Sequence, residues 1–511
     1  MLAVLNDQKL PKDVCRPNMK AATSATKYFQ KTVSGTKKYV VAPDFHQKML
    51  QLKQSTPSST SDIEMPSRFA LRRHEYYLTL PTLTLPEPLD LAATDCLREY
   101  SLFSIKHLSQ LSSRLVNYLH DRELLFEEEI IERMKRSCKE RTQNDEGNSG
   151  KADAGIDFAL QYHTGTPFVG AERSEREVRR AHLSAWKSLE YTEKNSLLYL
   201  VGRLAPNFAV ACRILYELRK RCPLFVPYTF FDFASGLGTY TWAVNTVWPA
   251  GCVREHHLVE ASGPMMGLSE FLLTKRGQGV TPNTTVFPGV RHRRFMPSSA
   301  VTGDLVMSGY ALLEMAGEHD RRRIVENLWS RTTGFLVLIE EGTKGGHTAL
   351  LEARDWLIQN GGADMHIFAP CPHKFACSRA GMGCKSSVKY YQFGLTRDAT
   401  CPSEEAFSYL IVSRGDWRRF TKKGTPMKET EMSTHPRIVS PTPVGGAAAI
   451  DVDLCLPDGN CERVIFSKSG TQRTLYFFLR NARAGDIAPC ERLCDSETEA
   501  KPHEQPDNSE S

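Results

Sequence analysis

The spacing of apolar positions divides this chain into stretches of different texture. Residues 1–90 have no sustained period. A Ser/Thr run at Ser55–Ser61 and a Pro/Thr-rich stretch at Leu80–Pro88 predict little regular structure there. From Leu91 a helical period takes over, with Leu102, Ile105, Leu108, Leu111, Leu115 and Leu119 three or four residues apart. A charged helix over Arg122–Arg141 continues it, and Gln143–Gly155 reads as a flexible linker. Helices resume between Ser174 and Lys220, where Tyr199, Leu204, Ala211, Leu215 and Leu218 mark the apolar side.

At Pro227 the pattern becomes short apolar runs separated by turns. Tyr228–Ala234, His256–Glu260, Asp304–Ser308 and Gly334–Glu340 read as strands, with helices between them, notably Pro264–Thr274 and Glu318–Ser330. This alternation predicts an α/β fold with a mostly parallel, doubly wound sheet. Phe407–Arg414, Ala447–Leu456, Arg463–Ser467 and Thr474–Leu479 read as further strands. The expected plan is a basic irregular region at 1–90 and a helical region at 91–222. An α/β core at 223–365, a β-rich C-terminal lobe at 366–490 and an acidic tail at 491–511 follow.

Composition sharpens this plan in three ways. With 511 residues, 41% of them hydrophobic, the chain can bury a large core in two or three domains. No apolar run is expected to span a bilayer, so no membrane partner is expected. The formal net charge of +6 permits a nucleic-acid partner without requiring one. Lys9, Lys12, Arg16, Lys20, Lys27, Lys31, Lys37 and Lys38, against only Asp7 and Asp13, form either an organellar transit peptide or a basic tail. Fourteen cysteines in a chain this long do not make a small secreted disulfide scaffold.

Two segments carry candidate chemistry. In the first, Phe231-Asp-Phe-Ala-Ser-Gly-Leu-Gly-Thr239 closes a strand and opens a helix. Gly236 and Gly238 let the backbone approach a ligand, and the helix N-terminus offers free N–H donors. Glu260, ending the next strand, is placed to accept from ribose hydroxyls. Asp232, Ser235, Gly236, Gly238, Glu260 and Asp304 are therefore candidate contacts for S-adenosylmethionine, with Asp304 expected near the methyl-donor pocket. Ala234 stands where a glycine is common. The competing reading is a simple Gly turn with an aspartate capping a loop.

The second segment places Cys371, Cys377 and Cys384 in one short turn-rich stretch, with five and six residues between them. Three such thiolates plus a remote fourth suit either a [4Fe–4S] cluster or tetrahedral zinc. The paired C-x-x-C knuckles of a zinc ribbon are lacking. Cys461 and Cys401 are candidates for the fourth position. His373 suits a hydrogen bond to a ligand better than ligation, and Cys490 and Cys494 read as free thiols. Arg291–Phe295, Arg321–Arg323 and Arg414–Phe420 followed by Lys422 and Lys423 are basic patches. Phosphates need such cations, and unpaired bases can stack on Trp417 or Phe295. Taken singly, each patch is also consistent with a solvated face.

The order of several segments resembles the methyltransferase-like family of mitochondrial small-ribosomal-subunit assembly proteins. They are Tyr199-Leu-Val-Gly-Arg203, Asp232–Thr239, Asp304–Tyr310, Leu338-Ile-Glu-Glu-Gly-Thr343, Cys371-Pro-His-Lys-Phe-Ala-Cys377, Pro436-Arg-Ile438 and Leu454-Cys-Leu-Pro-Asp-Gly459. The resemblance runs from Tyr199 to Asp486. It implies a class I S-adenosylmethionine-methyltransferase-like fold with a [4Fe–4S] cluster on Cys371, Cys377, Cys384 and Cys455. It further implies a mitochondrial matrix protein that binds small-subunit ribosomal RNA, alongside other assembly factors, and supports translation. The chain departs from the family at Ser378, at Cys384-Lys-Ser and at Glu341. Residues 304–310 lack the prolines of an Asn/Asp-Pro-Pro-Tyr methyl-transfer loop, so no catalytic residue is assigned. The leading expectation is an RNA-binding assembly factor. The alternatives are an active S-adenosylmethionine-dependent methyltransferase and a zinc-dependent RNA-binding module.

Overall fold

The computed structural model describes residues 33–34, 39–42, 45, 74, 76–101, 104–122, 189–276, 284–298, 301–315, 317–392, 401–421, 435–444, 448–469 and 473–492. The basic N-terminal run up to Lys31, with Lys37 and Lys38, lies outside these residues. So do Ser55–Ser61, the expected helix beyond Arg122, the 143–155 linker, the helix start at Ser174, Lys422, Lys423, Cys494 and the tail beyond 492.

Among the described residues, three helices precede the sheet: α1 (Glu87–Tyr100), α2 (Ile105–His120) and α3 (Glu193–Arg221). Thr192 caps α3 by accepting from the Asn195 N–H. Contrary to expectation, α3 is long and apolar enough to cross a bilayer, but 94% of its apolar window is buried inside the protein.

The central sheet is built from β3 (Thr229–Phe233), β4 (Glu255–Val259), β5 (Val290–Arg293), β6 (Gly303–Gly309), β7 (Thr332–Glu341), β8 (Met365–Ala369), β9 (Ser386–Tyr390) and β10 (Ser403–Arg414). Among the described residues, four α-helices lie between these strands: α4 (Thr239–Val247), α5 (Gly263–Leu273), α6 (Glu318–Arg331) and α7 (Lys344–Asn360). The strand order is β5-β4-β3-β6-β7-β10-β8, with β9 on the end of β10. β3 through β7 pair in parallel and β10 inserts antiparallel between β7 and β8. The chain therefore winds outward over β3, β4 and β5, then returns to the other side of β3. That reversal places a switch point between β3 and β6, where ligands bind in doubly wound sheets. Alternation along the strands sorts the two faces. Phe230, Leu258, Leu305, Phe335 and Val337 pack with α3, α4 and α5, whereas Phe231, Val259, Val306, Leu336 and Leu338 pack with α6 and α7. Burial on both faces explains the continuous apolar runs read as strands.

A second sheet has the order β1 (Val33–Ser34), β13 (Cys461–Ser467), β12 (Ala449–Cys455), β11 (Arg437–Val444). Beside it, β2 (Tyr39–Val41) pairs with β14 (Cys490–Arg492). Thr474–Leu479, read as a strand, lies instead in helix α8 (Arg473–Leu479). Leu475, Tyr476, Phe478 and Leu479 are buried against the strands, so lobe packing overrides their β-preferring composition. The boundary expected at residue 366 also moves. β8, β9 and β10 belong to the central sheet, and the lobe begins with β11. Residues from the region expected to be irregular join the lobe, where Tyr39, Phe45, Tyr76 and Leu78 are core.

Candidate functional site

The glycine turn follows β3. Ala234, Gly236 and Gly238 have φ of 54°, 52° and 70°, so three residues take left-handed conformations to swing the chain from strand into α4. For Ala234 that conformation costs about 1–2 kcal/mol. A Cβ at Gly238 would lie 2.6 Å from Ser269 Oγ and 2.8 Å from Leu273 Cδ1, so close packing on α5 requires glycine. A Cβ at Gly236 would meet only Met265, at 3.4 Å, which leaves that position open for an approaching ligand.

Glu260 fastens this turn to the end of β4. Gly236 N–H donates to Oε2 and Ser262 N–H to Oε1, both at 2.8 Å. Burial nevertheless raises the Glu260 pKa against these two donors. Each oxygen retains a lone pair for a further donor. Asp232 is wholly buried, and neither of its carboxylate oxygens has a partner. Burial first, then the Glu260 charge, drives its pKa well above the carboxylate range. Ser235 Oγ, Ser308 Oγ and the hydroxyls of Tyr240 and Tyr310 are likewise buried and unpartnered. Orphaned polar atoms gathered at the carboxyl ends of β3 and β6 are uncommon without a reason. They fit the polar end of a nucleoside-containing cofactor such as S-adenosylmethionine.

Asp304 does not join this group. Its carboxylate accepts from the Tyr228 and Thr229 N–H groups and the Thr229 hydroxyl, at 3.0–3.1 Å. It sits at the beginning of β6 beside the beginning of β3, at the opposite edge of the sheet from the turn. Its placement near the methyl-donor pocket is therefore corrected: it caps strand starts.

Side chains from outside the sheet fill the space beyond Tyr310. Arg203 of α3 bridges Glu405 at 2.6 Å and Glu341 at 3.1 Å, and lies 4.7 Å from the Tyr310 ring. His120 Nδ1 is 2.9 Å from Glu341, and Arg122 pairs with Glu314 at 3.2 Å. A small cavity remains between Tyr191, Tyr199, Tyr310, Glu314 and Glu340. Burial pushes the Glu340 pKa up to about 8. Sequence reading missed this network because its members come from α2, α3, β7 and β10. Its local signals were the quoted Tyr199–Arg203 and Glu340-Glu-Gly-Thr343 segments.

The cysteine segment links β8 to β9 at the seam between sheet and lobe. Cys371, Cys377, Cys384 and Cys455 line one cavity of roughly 590 Å³, its open mouth included. His347, Leu350, Arg354, Tyr409 and Arg437 also line it. Two arginines hold its walls. Arg354 donates to the carbonyls of His373 and Phe375 at 3.0 and 2.7 Å. Arg437, paired with Cys455 across β11 and β12, donates to the carbonyls of Pro370 at 2.9 Å and Gly485 at 2.7 Å. Its remaining nitrogen reaches buried Glu217 at 2.9 Å. Arg213, Arg221 and Tyr409 also donate to Glu217. Burial opposes its charge, yet Arg437, Arg213 and Arg221 hold its pKa down at about 2.

Burial pushes the Cys384 thiol up to about 12, with Cys371 and Cys377 adding to it, and burial also raises Cys371 and Cys455. Cys371, Cys384 and Cys455, whose ionisation burial and neighbouring sulfurs oppose, fit with Cys377 around a shared thiophilic cluster, whose positive charge removes that penalty. Cys461 pairs across the hairpin with Cys455, but its sulfur turns to Arg379 at 4.0 Å. Cys401 is exposed, and Cys490 is buried within the lobe core. His373 Nε2 lies 3.5 Å from Cys455 Sγ. Arg354 and Arg437 were not anticipated as cavity residues, although Arg437 stands in the quoted Pro436-Arg-Ile438 segment.

Two basic patches change on folding. Trp417 is buried edge-on to Phe368 at 5.1 Å, with Arg221 5.0 Å from its ring, so it offers no stacking face. Arg321 is buried and pairs with Glu352 at 2.7 Å. Phe295, by contrast, is 77% exposed.

Comparison with known proteins adds four findings. The family profile described as mitochondrial small ribosomal subunit Rsm22 matches residues 193–489. The chain is 34% identical over 332 residues to the Homo sapiens ribosome assembly protein METTL17, mitochondrial, covering 62% of this chain and 69% of that protein. It is 27% identical over 221 residues to the Schizosaccharomyces pombe Rsm22-cox11 tandem protein 2, mitochondrial, covering 37% of this chain and 29% of that one. Among solved structures it overlaps the magnesium protoporphyrin IX methyltransferase of Synechocystis with TM-score 0.27 at 12% identity, over 53% of this chain and 100% of that one.

Proposed function

This chain belongs to the Rsm22 family of mitochondrial small ribosomal subunit proteins, and from that premise we propose that it is a mitochondrial ribosome assembly factor that binds small-subunit ribosomal RNA and carries a [4Fe–4S] cluster. Cys371, Cys377, Cys384 and Cys455 hold the cluster. The carrying observation is their shared cavity, with three of them on the loop after β8 and the fourth on β12. A group held from both sides ties lobe to sheet, a structural role that needs no redox change. Filling of the space beyond Tyr310 by the Arg203 ion pairs supports a scaffold in which methyl transfer is lost. Anaerobic purification of the full chain, with iron, sulfide and zinc analysis and a visible spectrum, tests this. Four irons and four sulfides per chain are expected, and zinc without iron overturns the cluster in favour of a zinc-dependent module.

A second reading has its own observation. The unpartnered oxygens of buried Asp232, beside open Gly236, favour a retained S-adenosylmethionine site in an active transferase. Calorimetric titration with S-adenosylmethionine, followed by transfer of a labelled methyl group to small-subunit RNA, separates the two. Transfer that is abolished by Gly236→Arg establishes the enzyme and sinks the non-catalytic scaffold.

A further inference from the structure

The connection from β5 to β6 is unusually short for a parallel crossover. It spans only residues 294–302, and its described residues form no helix. Such crossovers ordinarily take a dozen or more residues and lay a helix over the sheet. Here Met296 and Val301 reach the α6/α7 side of the core, and no described helix covers the outer edge of that face. The register shows what lies on it. Arg291 pairs with His257 and Arg293 with Val259, so both arginines share the face of Phe231 and Val259. Both are exposed, and no ion pair or hydrogen bond engages either side chain among the described residues. Arg294 is exposed too, and donates to the Ala261 carbonyl at 3.0 Å, which anchors the strand end to the end of β4. Phe295 follows at 77% exposure. The acid on this face is Glu255, which faces His257 at 3.4 Å.

Among the described residues, an arginine pair on this edge strand, ending in an exposed aromatic ring, has no structural reason. Buried apolar area does not explain Phe295, and among the described residues the arginines pair with no carboxylate, Glu255 being turned to His257. We propose that this edge is a docking surface for single-stranded RNA, with Arg291 and Arg293 on consecutive phosphates and Phe295 stacked on an unpaired base. Charge complementarity argues for a polyanion. The flat ring argues for an unstacked base, because a duplex keeps its base faces covered. The exposed backbone edge of β5 adds donors that a sugar–phosphate chain accepts. The inference rests on the RNA-binding reading above and assigns it a place and a strand state.

The test uses the full chain and two fluorescent probes, a 12-nucleotide oligouridylate and a 12-base-pair RNA duplex, read by anisotropy over a salt series. The wild type is expected to bind the single strand more tightly than the duplex. Arg291→Ala/Arg293→Ala should weaken single-strand binding about ten-fold at 0.1 M salt. It should also flatten the log–log salt slope by about 1.4, the contribution of two phosphates on a single strand. Phe295→Ala should weaken it roughly 5- to 150-fold with the salt slope unchanged. All three positions are exposed, so circular dichroism and melting temperature should match the wild type. If the wild type binds neither probe, RNA binding itself fails. If it binds and the variants bind equally well, this surface is wrong while the function stands. Equal wild-type affinity for duplex and single strand, with Phe295→Ala silent, overturns the single-strand assignment.

Discussion

At the carboxyl ends of β3 and β4, one contiguous turn supplies Asp232, Ser235, Gly236 and Gly238, and Glu260 joins from the neighbouring strand. The cysteine cavity instead draws Cys371, Cys377 and Cys384 from the loop after β8, Cys455 from β12, Arg354 from α7 and Arg437 from β11. The two regions also use charge differently. Glu260 is already bonded to two backbone donors, and Arg203 is held by Glu341 and Glu405. The turn is thus largely satisfied by its own chain, apart from Asp232 and nearby hydroxyls. Around the cavity, Arg354 and Arg437 direct nitrogens to backbone carbonyls, and Arg354 also reaches the Cys371 thiol, while the four cysteines line the space between. A local motif can keep its shape after its ligand becomes dispensable, because the shape serves the fold. A site assembled from several segments depends on whatever joins them.

That contrast can be broken, most forcefully at Glu217. Glu217→Gln leaves Arg213, Arg221 and Arg437 without their shared buried carboxylate and should cost about 3–5 kcal/mol in urea unfolding. The charged form is favoured in the folded state, since Glu217 titrates at about 2 against 4.5 ordinarily. Its stabilisation is therefore full above about pH 4.5 and is lost as pH falls towards 2. The wild type should lose stability steeply through that window, and the variant should lose less. An unchanged acid limb contradicts the Glu217 network as the clasp between sheet and lobe.

The next largest effect belongs to the thiols. Cys455→Ser should abolish stoichiometric metal and lower stability by about 3–4 kcal/mol, the linkage expected of a saturated ligand. Cys461→Ser should retain the metal, because its sulfur points to Arg379. Chelation of the wild type should reproduce the Cys455→Ser melting curve and leave that variant's own curve unmoved.

Smaller effects sharpen the turn. Gly238→Ala should cost about 2 kcal/mol with or without cofactor, since its Cβ meets Ser269 and Leu273 and its φ is 70°. Gly236→Ala should cost about 1 kcal/mol through φ alone. The two should differ in chemical denaturation of the free protein. Asp232→Asn should be smallest, within about 1 kcal/mol, because a buried acid driven neutral already resembles its amide. Its readout is calorimetric titration with S-adenosylmethionine. A retained site predicts at least about a ten-fold loss of affinity, whereas a vestigial one predicts no binding to lose.

Much of the central sheet was legible from period alone. β3, β4, β6, β7 and β10 lie within a few residues of their expected positions, because strands buried on both faces must be apolar throughout. The short β5, β8 and β9 escaped notice: Val-Arg-His-Arg at β5 carries no apolar alternation, since one face is solvent. Thr474–Leu479 misled for the opposite reason, as aromatic residues suit strand and buried helix alike. Asp304 was displaced because a strand read from sequence shows its members but not which edge of the sheet each end meets. Trp417 was mistaken for a stacking face because flanking arginines in sequence say nothing of Phe368 and Arg221 across the fold.

What the amino-acid order decided by itself was local. The strand–turn–helix around Gly236 and Gly238, the three clustered cysteines and the exposed Arg-rich run ending at Phe295 each depend on neighbours within about fifteen residues. Tertiary structure alone decided which distant groups meet. It set Arg437 beside Cys455, brought Arg437 and Tyr409 onto Glu217 of α3, and filled the ends of β7 and β10 with Arg203. Backbone propensity acts within a turn or two, whereas these meetings follow from sheet order and lobe packing, which no single segment encodes.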